Sequence, residues 1–414
     1  MAADRKYYSE LEMRDPGERE AALMAQLAKQ IAHAKANSAH FGAVLKDVDA
    51  AAVSSRAALA KLPVTRKGDL KDLQAKSKPF GGLNAWPLAR MSHVFQSPGP
   101  IYEPGAKGED NWGFARALWA AGARPGMLVH NTFSYHLVPA GLMVEGGARA
   151  IGCPVFPGGV GNTELQVQAI NDLKPAVYAG TPSFLKILLE KARELKFDTS
   201  SLRHASVGAE ALPPSLRAAI KELGVFAIQS YGTADVGVIA YETEALEGMV
   251  IDENVIVEIV RPGTGEPVAE GDVGEVVVTT FNPAYPLIRF GTGDLSAVLP
   301  GRSPCGRTNT RIKGWMGRAD QTTKIRGMFV HPTQAGDVAK RHPEIGRIRI
   351  EVTTRNNLDD MVVKCEAKAS GEALAAAIAD SVVAVCKVRG RVELVAPGSL
   401  PDDGKVIADL RSYA

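Results

Sequence analysis

The sequence has little of what marks several protein classes. Its four cysteines, Cys153, Cys305, Cys365 and Cys386, are scattered along 414 residues. That leaves no paired spacing for a disulfide framework or a zinc ribbon. No run approaches the ~18 uninterrupted apolar residues of a membrane-spanning helix. The start, MAADRKYYSELEMRDPGERE, lacks the apolar stretch of a signal peptide. Neither sign of charge dominates, since 48 Lys+Arg stand against 46 Asp+Glu, a net +2. This argues against the gathered basic excess of a nucleic-acid surface. Internal repeats and low-complexity tracts are also lacking. These absences point to a reducing, cytoplasmic setting, with neither nucleic acid nor membrane as a partner.

What is present is an ordinary globular composition, 45% hydrophobic and 23% charged. At 414 residues the chain exceeds the size at which single cores stop growing, so at least two domains are expected. Leu23, Leu27, Ile31 and Ala34 recur at helical steps, and LPVTRKGDLKDLQ reads as a turn followed by a capped helix start. From about residue 110 to 230, MLVHNTF, ARAIGCPVF and AVYAG read as strands. They alternate with the helical patterns TELQVQAINDL and PSFLKILLEKARELK, as in parallel α/β units. NVIVEIV, GEVVVTTF and LSAVL, separated by GTGEP and EGDVG turns, predict an antiparallel β subdomain. Strands near 347–353 and 360–367, a helix at 372–386 and a last strand, RVELVA, predict a compact tail. The expected fold is therefore a large α/β N-terminal domain (1–319) with parallel sheets and a β subdomain. A small α+β C-terminal domain (320–414) follows it.

Several short segments carry candidate chemistry. Ser206-Val207-Gly208-Ala209-Glu210 has a glycine that allows close approach to its backbone. It also reads as a plain strand-to-helix turn. Gln229-Ser230-Tyr231-Gly232-Thr233-Ala234-Asp235 ends on a carboxylate suited to a hard cation, or to capping a helix. Arg289-Phe290-Gly291-Thr292-Gly293-Asp294 ends a glycine turn on a carboxylate able to accept two hydroxyls, or is a simple hairpin turn. Gly317-Arg318-Ala319-Asp320, followed by Lys324-Ile325-Arg326-Gly327, falls at the composition break between the domains, where hinges occur. Gly404-Lys405 closes GSLPDDGK with a cation, which on its own reads as a solvated lysine.

In order and spacing, from LPVTRKGDL near residue 62 to GSLPDDGK at 398–405, these segments resemble one family. It is the phenylacetate-CoA ligases, a branch of the adenylate-forming acyl-CoA synthetases. The resemblance implies an ATP-dependent enzyme that joins a carboxylate to AMP and then transfers the acyl group to coenzyme A. It implies Gly208, Ala209 and Glu210 lining the adenine pocket, Tyr231 and Gly232 beside adenine, and Thr233 on the α-phosphate. Asp235 would help bind Mg²⁺, although the family pattern carries a glutamate there. Asp294 and Arg318 would hold the ribose, and Asp320 would be the hinge, with Gln321 where the pattern has a second aspartate. Lys405 would bridge carboxylate and α-phosphate during adenylation. Phe133, Tyr135, Gly180 and Thr181 would flank an aryl acid, though core packing explains Phe133 or Phe184 equally well. A homodimer, as relatives often form, stays open, as does an acceptor other than CoA.

The sequence departs from the family pattern at two places. Many relatives carry a structural metal site, and here Tyr241, Val250 and Ser303 replace three ligand positions, leaving Cys305. One thiolate cannot supply a four-ligand site, so no structural zinc is expected. The second departure is VFQSPGPIYEPG at 94–105, which stands where the family has S-S-G-T-T-G-K-P. Ser97 and Gly99 are kept, Tyr102 replaces a glycine and Glu103 replaces the lysine. Prolines remove N–H donors, and each lost hydroxyl contact to phosphate costs ~1–3 kcal/mol. A glutamate repels the β/γ-phosphates that a lysine attracts. A second reading follows: a ligase-fold binding protein for AMP, acyl-adenylate or acyl-CoA with impaired ATP use.

Overall fold

The helical spacing of Leu23, Leu27, Ile31 and Ala34 forms the buried face of one helix, Pro16–Asn37. Asp15 starts it by accepting the Gly17 and Glu18 amides, satisfying N–H groups that have no partner inside the helix. The structure is a computed structural model that describes residues 5–97, 100–319, 321, 323–330, 332–355, 358–368, 371–401 and 405–411. Gly99, Asp320 and Gly404 lie outside the described residues. The chain divides into two compact units, Met1–Trp315 and Met316–Ala414.

In the first unit, strand β1 (Thr65–Arg66) precedes a hairpin of β2 (His93–Ser97) and β3 (Ile101–Gly105). Five parallel strands follow: β4 (Val129–Asn131), β5 (Val155–Pro157), β6 (Val177–Gly180), β7 (His204–Val207) and β8 (Phe226–Thr233). They lie in the order β8-β7-β6-β4-β5, with β9 (Gly237–Tyr241) and β10 (Met249–Ile251) added antiparallel beyond β8. Helices Thr163–Leu173 and Pro182–Leu195 match the predicted segments. ARAIGCPVF does not form one strand: Ala148–Ile151 end a helix, Ala140–Ile151, and only Val155–Pro157 pair. Its alanine and arginine favour helix, and Gly152 at φ 90° closes that helix before the strand begins.

The predicted β subdomain is a second sheet of β11 (Val255–Val260), β12 (Gly274–Thr280) and β13 (Phe290–Ser296), all antiparallel. LSAVL is split, with Val298–Leu299 leaving β13 to pair with Arg311–Ile312 in the first sheet. Strand β1 joins this second sheet parallel to β13, Thr65 opposite Phe290 and Arg66 opposite Gly291. Residues 67–69 then make a 3₁₀ turn into helix Leu70–Lys76. The predicted cap is not made, because Asp69 is already in helical conformation and its side chain accepts no cap hydrogen bond.

The second unit contains strands Ile345–Arg355 and Leu358–Ala367, helix Glu372–Cys386 and strand Arg391–Val395, as the tail pattern predicts. RVELVA is not the last strand, since Ile407–Asp409 pairs parallel with Ile350–Val352. It is short, and only Ile407 and Ala408 are buried, which leaves almost no periodicity to read.

Candidate active site

The carboxyl ends of β4, β6, β7 and β8 bring candidate residues to one edge of the parallel sheet, the place where open α/β sheets bind ligands. Gly180 ends β6, Gly208 follows β7 and Tyr231–Thr233 end β8. A Cβ on Gly208 would lie 3.0 Å from the Ser230 carbonyl oxygen, so glycine allows the β7 end to sit tight against β8. Ala209 has a positive φ of 62°, strained for a residue with a Cβ. Glu210 reaches the first turn of the helix that follows β6, its carboxylate accepting the Ser183 hydroxyl at 2.6 Å.

Tyr231 and Asp294 come from different sheets and meet. The Tyr231 hydroxyl donates to Asp294 Oδ2 at 3.0 Å, and the Trp315 indole donates to Oδ1 at 3.0 Å. The segment is not a turn but an irregular stretch of strand β13, where Gly293 has a φ of 73°, and Thr292 steadies it, its hydroxyl accepting the Asp294 amide and donating to the Val276 carbonyl. Thr233 Oγ1 accepts the Val236 amide at 3.2 Å, which closes the turn containing Asp235.

Arg289, the first residue of the RFGTGD segment, is a frame residue rather than a surface cation. It is buried, with Nε on Glu258 at 3.0 Å, and its guanidinium also holds the carbonyls of Ala60, Leu62 and Gly265. Those bonds fix the approach to β1, and the Thr65 amide then bonds the Arg289 carbonyl. The next residue but one is Lys67, which this pairing delivers beside β13. Its Nζ lies 2.5 Å from Asp235 Oδ2. Residue-by-residue reading missed Lys67, although it lies within the quoted LPVTRKGDL stretch.

The altered phosphate loop is a regular hairpin over its described residues. Phe95 pairs with Glu103, Gln96 with Tyr102 and Ser97 with Ile101. Gln74 clamps it: its amide donates to the Tyr102 carbonyl at 2.8 Å and accepts the Tyr102 amide at 2.9 Å. The Gln96 amide bonds the Leu137 carbonyl. Tyr102 is exposed at 37%, whereas Glu103 is 1% exposed and points inward. Glu103 Oε2 accepts the Ser97 amide at 3.2 Å. Burial, reinforced by the Asp235 charge, pushes its carboxyl up to about 7, against the opposing pull of Lys67 and the Ser97 bond. Burial works against the Lys67 charge, but Asp235 and Glu103, with Asp294 beyond, hold its pKa above the ordinary lysine value.

The candidate acyl residues separate. Phe133 packs in a core cluster with Trp119 and Val144, and Phe184 packs in another. Tyr135 is half-buried, its hydroxyl accepting from Asn131 at 2.8 Å, and burial beside Glu145 raises its pKa. A Cβ on Gly180 would fall 1.9 Å from Thr132 Oγ1 and 2.3 Å from the Tyr178 hydroxyl. Thr181 begins the following helix, its carbonyl accepting the Tyr178 hydroxyl. A separate cavity of about 220 Å³ is lined by Trp112, Val236, Asp252 and Thr280 and by none of the motif residues.

A buried ion pair lies beside Tyr241 and Cys305. Arg307 Nε lies 2.7 Å from Glu12 Oε2, with the Tyr241 hydroxyl on the same oxygen at 3.5 Å. Ser303 Oγ sits 3.0 Å from Cys305 Sγ. Among the described residues no group of three or more His, Cys, Asp or Glu could hold a metal ion. No helix among them is long and apolar enough to cross a membrane.

In the second unit, Arg318 is half-buried and Lys405 is exposed. Gln321 accepts the Val406 and Ile407 amides at 2.8 and 3.3 Å, which ties the chain just after residue 320 to the residues just after Lys405. The departure from a second aspartate is thus a structural bond, invisible in the spacing.

A profile of the AMP-binding enzyme family matches residues 134–283. The phenylacetate-coenzyme A ligase of Thermus thermophilus is 38% identical over 324 residues, 74% of this chain and 72% of that one. The phenylacetate-coenzyme A ligase of Aromatoleum evansii is 34% identical over 354 residues, 81% of this chain and 79% of that one. A solved 2-hydroxyisobutyryl-CoA ligase, in complex with 2-HIB-AMP and CoA, superimposes with a TM-score of 0.83 at 26% identity. That match covers 99% of this chain and 94% of the other.

Proposed function

Because the chain belongs to the phenylacetate-CoA ligase family of adenylate-forming enzymes, we propose that it activates an aryl or related carboxylate with ATP and passes the acyl group to coenzyme A. In the first step a carboxylate oxygen attacks the α-phosphorus and pyrophosphate leaves. In the second the CoA thiol, losing its proton, attacks the acyl carbon and AMP leaves. The observation that carries this reading is the Tyr231–Asp294 hydrogen bond at 3.0 Å, which joins the adenine segment to the ribose segment across two sheets.

Each residue then has a task. Gly208, Ala209 and Glu210 bound the adenine, with Tyr231 and Gly232 on its other side. Asp294 and Arg318 accept and donate to the ribose hydroxyls. Thr233 holds the α-phosphate, and Lys405 stabilises charge that grows on it in the transition state. Tyr135, Gly180 and Thr181 face the acid, with Phe133 in the core that supports them, and Asp320 is the hinge between the large and small domains. Asp235 supplies a hard oxygen of the kind magnesium prefers, its Oδ1 being buried without a hydrogen-bond partner among the described residues. Magnesium, when bound, would neutralise phosphate charge.

Mass spectrometry of reactions with ATP, CoA and a panel of aryl acids tests the proposal. An acid-dependent CoA thioester that disappears in Asp294→Ala supports it. The second reading, a binding protein for AMP, acyl-adenylate or acyl-CoA, is favoured by Glu103, whose buried carboxylate occupies the place of the loop lysine. It predicts AMP binding with no thioester from any acid.

A further inference from the structure

The phosphate end of the site contains a cation of its own. Lys67 Nζ lies 2.5 Å from Asp235 Oδ2, with the Asp235 side chain wholly buried and the Lys67 side chain 24% exposed. Glu103 enters the same charge cluster from the hairpin. Both carboxylates keep one buried oxygen, Asp235 Oδ1 and Glu103 Oε1, without a hydrogen-bond partner among the described residues. Asp235 thus has one oxygen on an ammonium and one unused hard oxygen, with the Glu103 carboxyl close enough to feel its charge. That combination favours a cation of higher charge over lysine. Lysine has one advantage: it is tethered, by the β1–β13 pairing and the Arg289 bonds that set its position.

We propose that Lys67 is a built-in competitor for the divalent cation, occupying Asp235 in the free protein. A metal must displace the ammonium before it binds. This rests on the reading of Asp235 as the metal-side carboxylate of a nucleotide site. The exchange gives the site two states. In one, Lys67 neutralises Asp235. In the other, a divalent ion takes Asp235 and the freed ammonium turns toward the 24% of its surface that is open. Where the family pattern has a cation to attract phosphate, this chain has a buried carboxyl in the hairpin and a lysine paired to the metal carboxylate.

Mn²⁺ titration followed by water-proton relaxation tests this on the full chain without nucleotide. Lys67→Gln removes the charge while keeping a donor for Asp235, and should bind Mn²⁺ about tenfold tighter than the wild type or more. Lys67→Gln/Asp235→Asn should lose that gain. Equal affinity of the folded Lys67→Gln variant and the wild type overturns the proposal. Should Lys67→Gln not fold, amine-reactive labelling of the wild type decides the matter. Mg²⁺ should raise the labelling rate of Lys67 severalfold while leaving Lys71 and Lys76 unchanged. No change at Lys67 under saturating Mg²⁺ overturns the proposal. AMP titration of Asp294→Ala separates the two levels: undiminished AMP affinity there contradicts the nucleotide-site reading, whatever the metal exchange does.

Discussion

Asp294 takes two neutral donors, Tyr231 and Trp315 at 3.0 Å, whereas Asp235 is paired with a full charge, Lys67 at 2.5 Å. Neutral donors fix where a carboxylate points without cancelling its charge, so Asp294 keeps its capacity for ribose hydroxyls. Charged partners change what a carboxylate can bind, because any new cation must compete with the one already present. The nucleoside end therefore reads like the family pattern, and the phosphate end is rebuilt. Both ends hang on one frame: β13 carries Asp294, and β1 beside it leads to Lys67.

Breaking that frame should have the largest effect. Arg289→Met leaves Glu258 buried without its partner and frees three carbonyls, so stability should fall by about 3–5 kcal/mol in denaturant melts. Nucleotide binding and the cation behaviour should fail together, because the β1 approach is lost. Asp294→Ala should separate the two ends. AMP affinity should fall about 100-fold, the sum of two charge-assisted bonds at ~1.5 kcal/mol each, with Mn²⁺ affinity changing far less by titration.

Gln74→Ala should loosen the phosphate end alone. Losing its two bonds to Tyr102 should cost about 1–2 kcal/mol and speed amide exchange at Tyr102, with AMP affinity preserved. The smallest effect is a control outside both ends. Asp252 pairs with Arg116 at 3.2 Å, and burial pushes its carboxyl up to about 6. A carboxyl raised in the folded state is penalised when ionised, so this group strengthens the fold as pH falls from 7 to 5. The gain should be about 1 kcal/mol, read as the difference in pH slope between the wild type and Asp252→Asn.

How much of this was legible depended on whether a feature is local. The helix Pro16–Asn37 and the helices at 163–173 and 182–195 announce themselves by period, and burial confirms their apolar faces. Asp294 was legible because its motif is contiguous, yet Trp315, its second donor, lies 21 residues on with no motif of its own. Lys67 and Gln74 sit in a recognised stretch, but their roles come from partners 168 and 28 residues away. Glu103 could be read as a lost lysine. That it turns inward follows from hairpin register, since the pairing of Phe95 with Glu103 puts both on the buried face while Tyr102 faces out. Gln321 looked like a missing aspartate and is a bond to the final strand.

Pyrophosphate release from ATP, measured over a panel of aryl acids in the absence of CoA, tests the central claim most directly. Release should depend on the acid, be matched by bound acyl-adenylate, and be abolished in Asp294→Ala. No release with any acid, in a protein that still binds AMP, would contradict it.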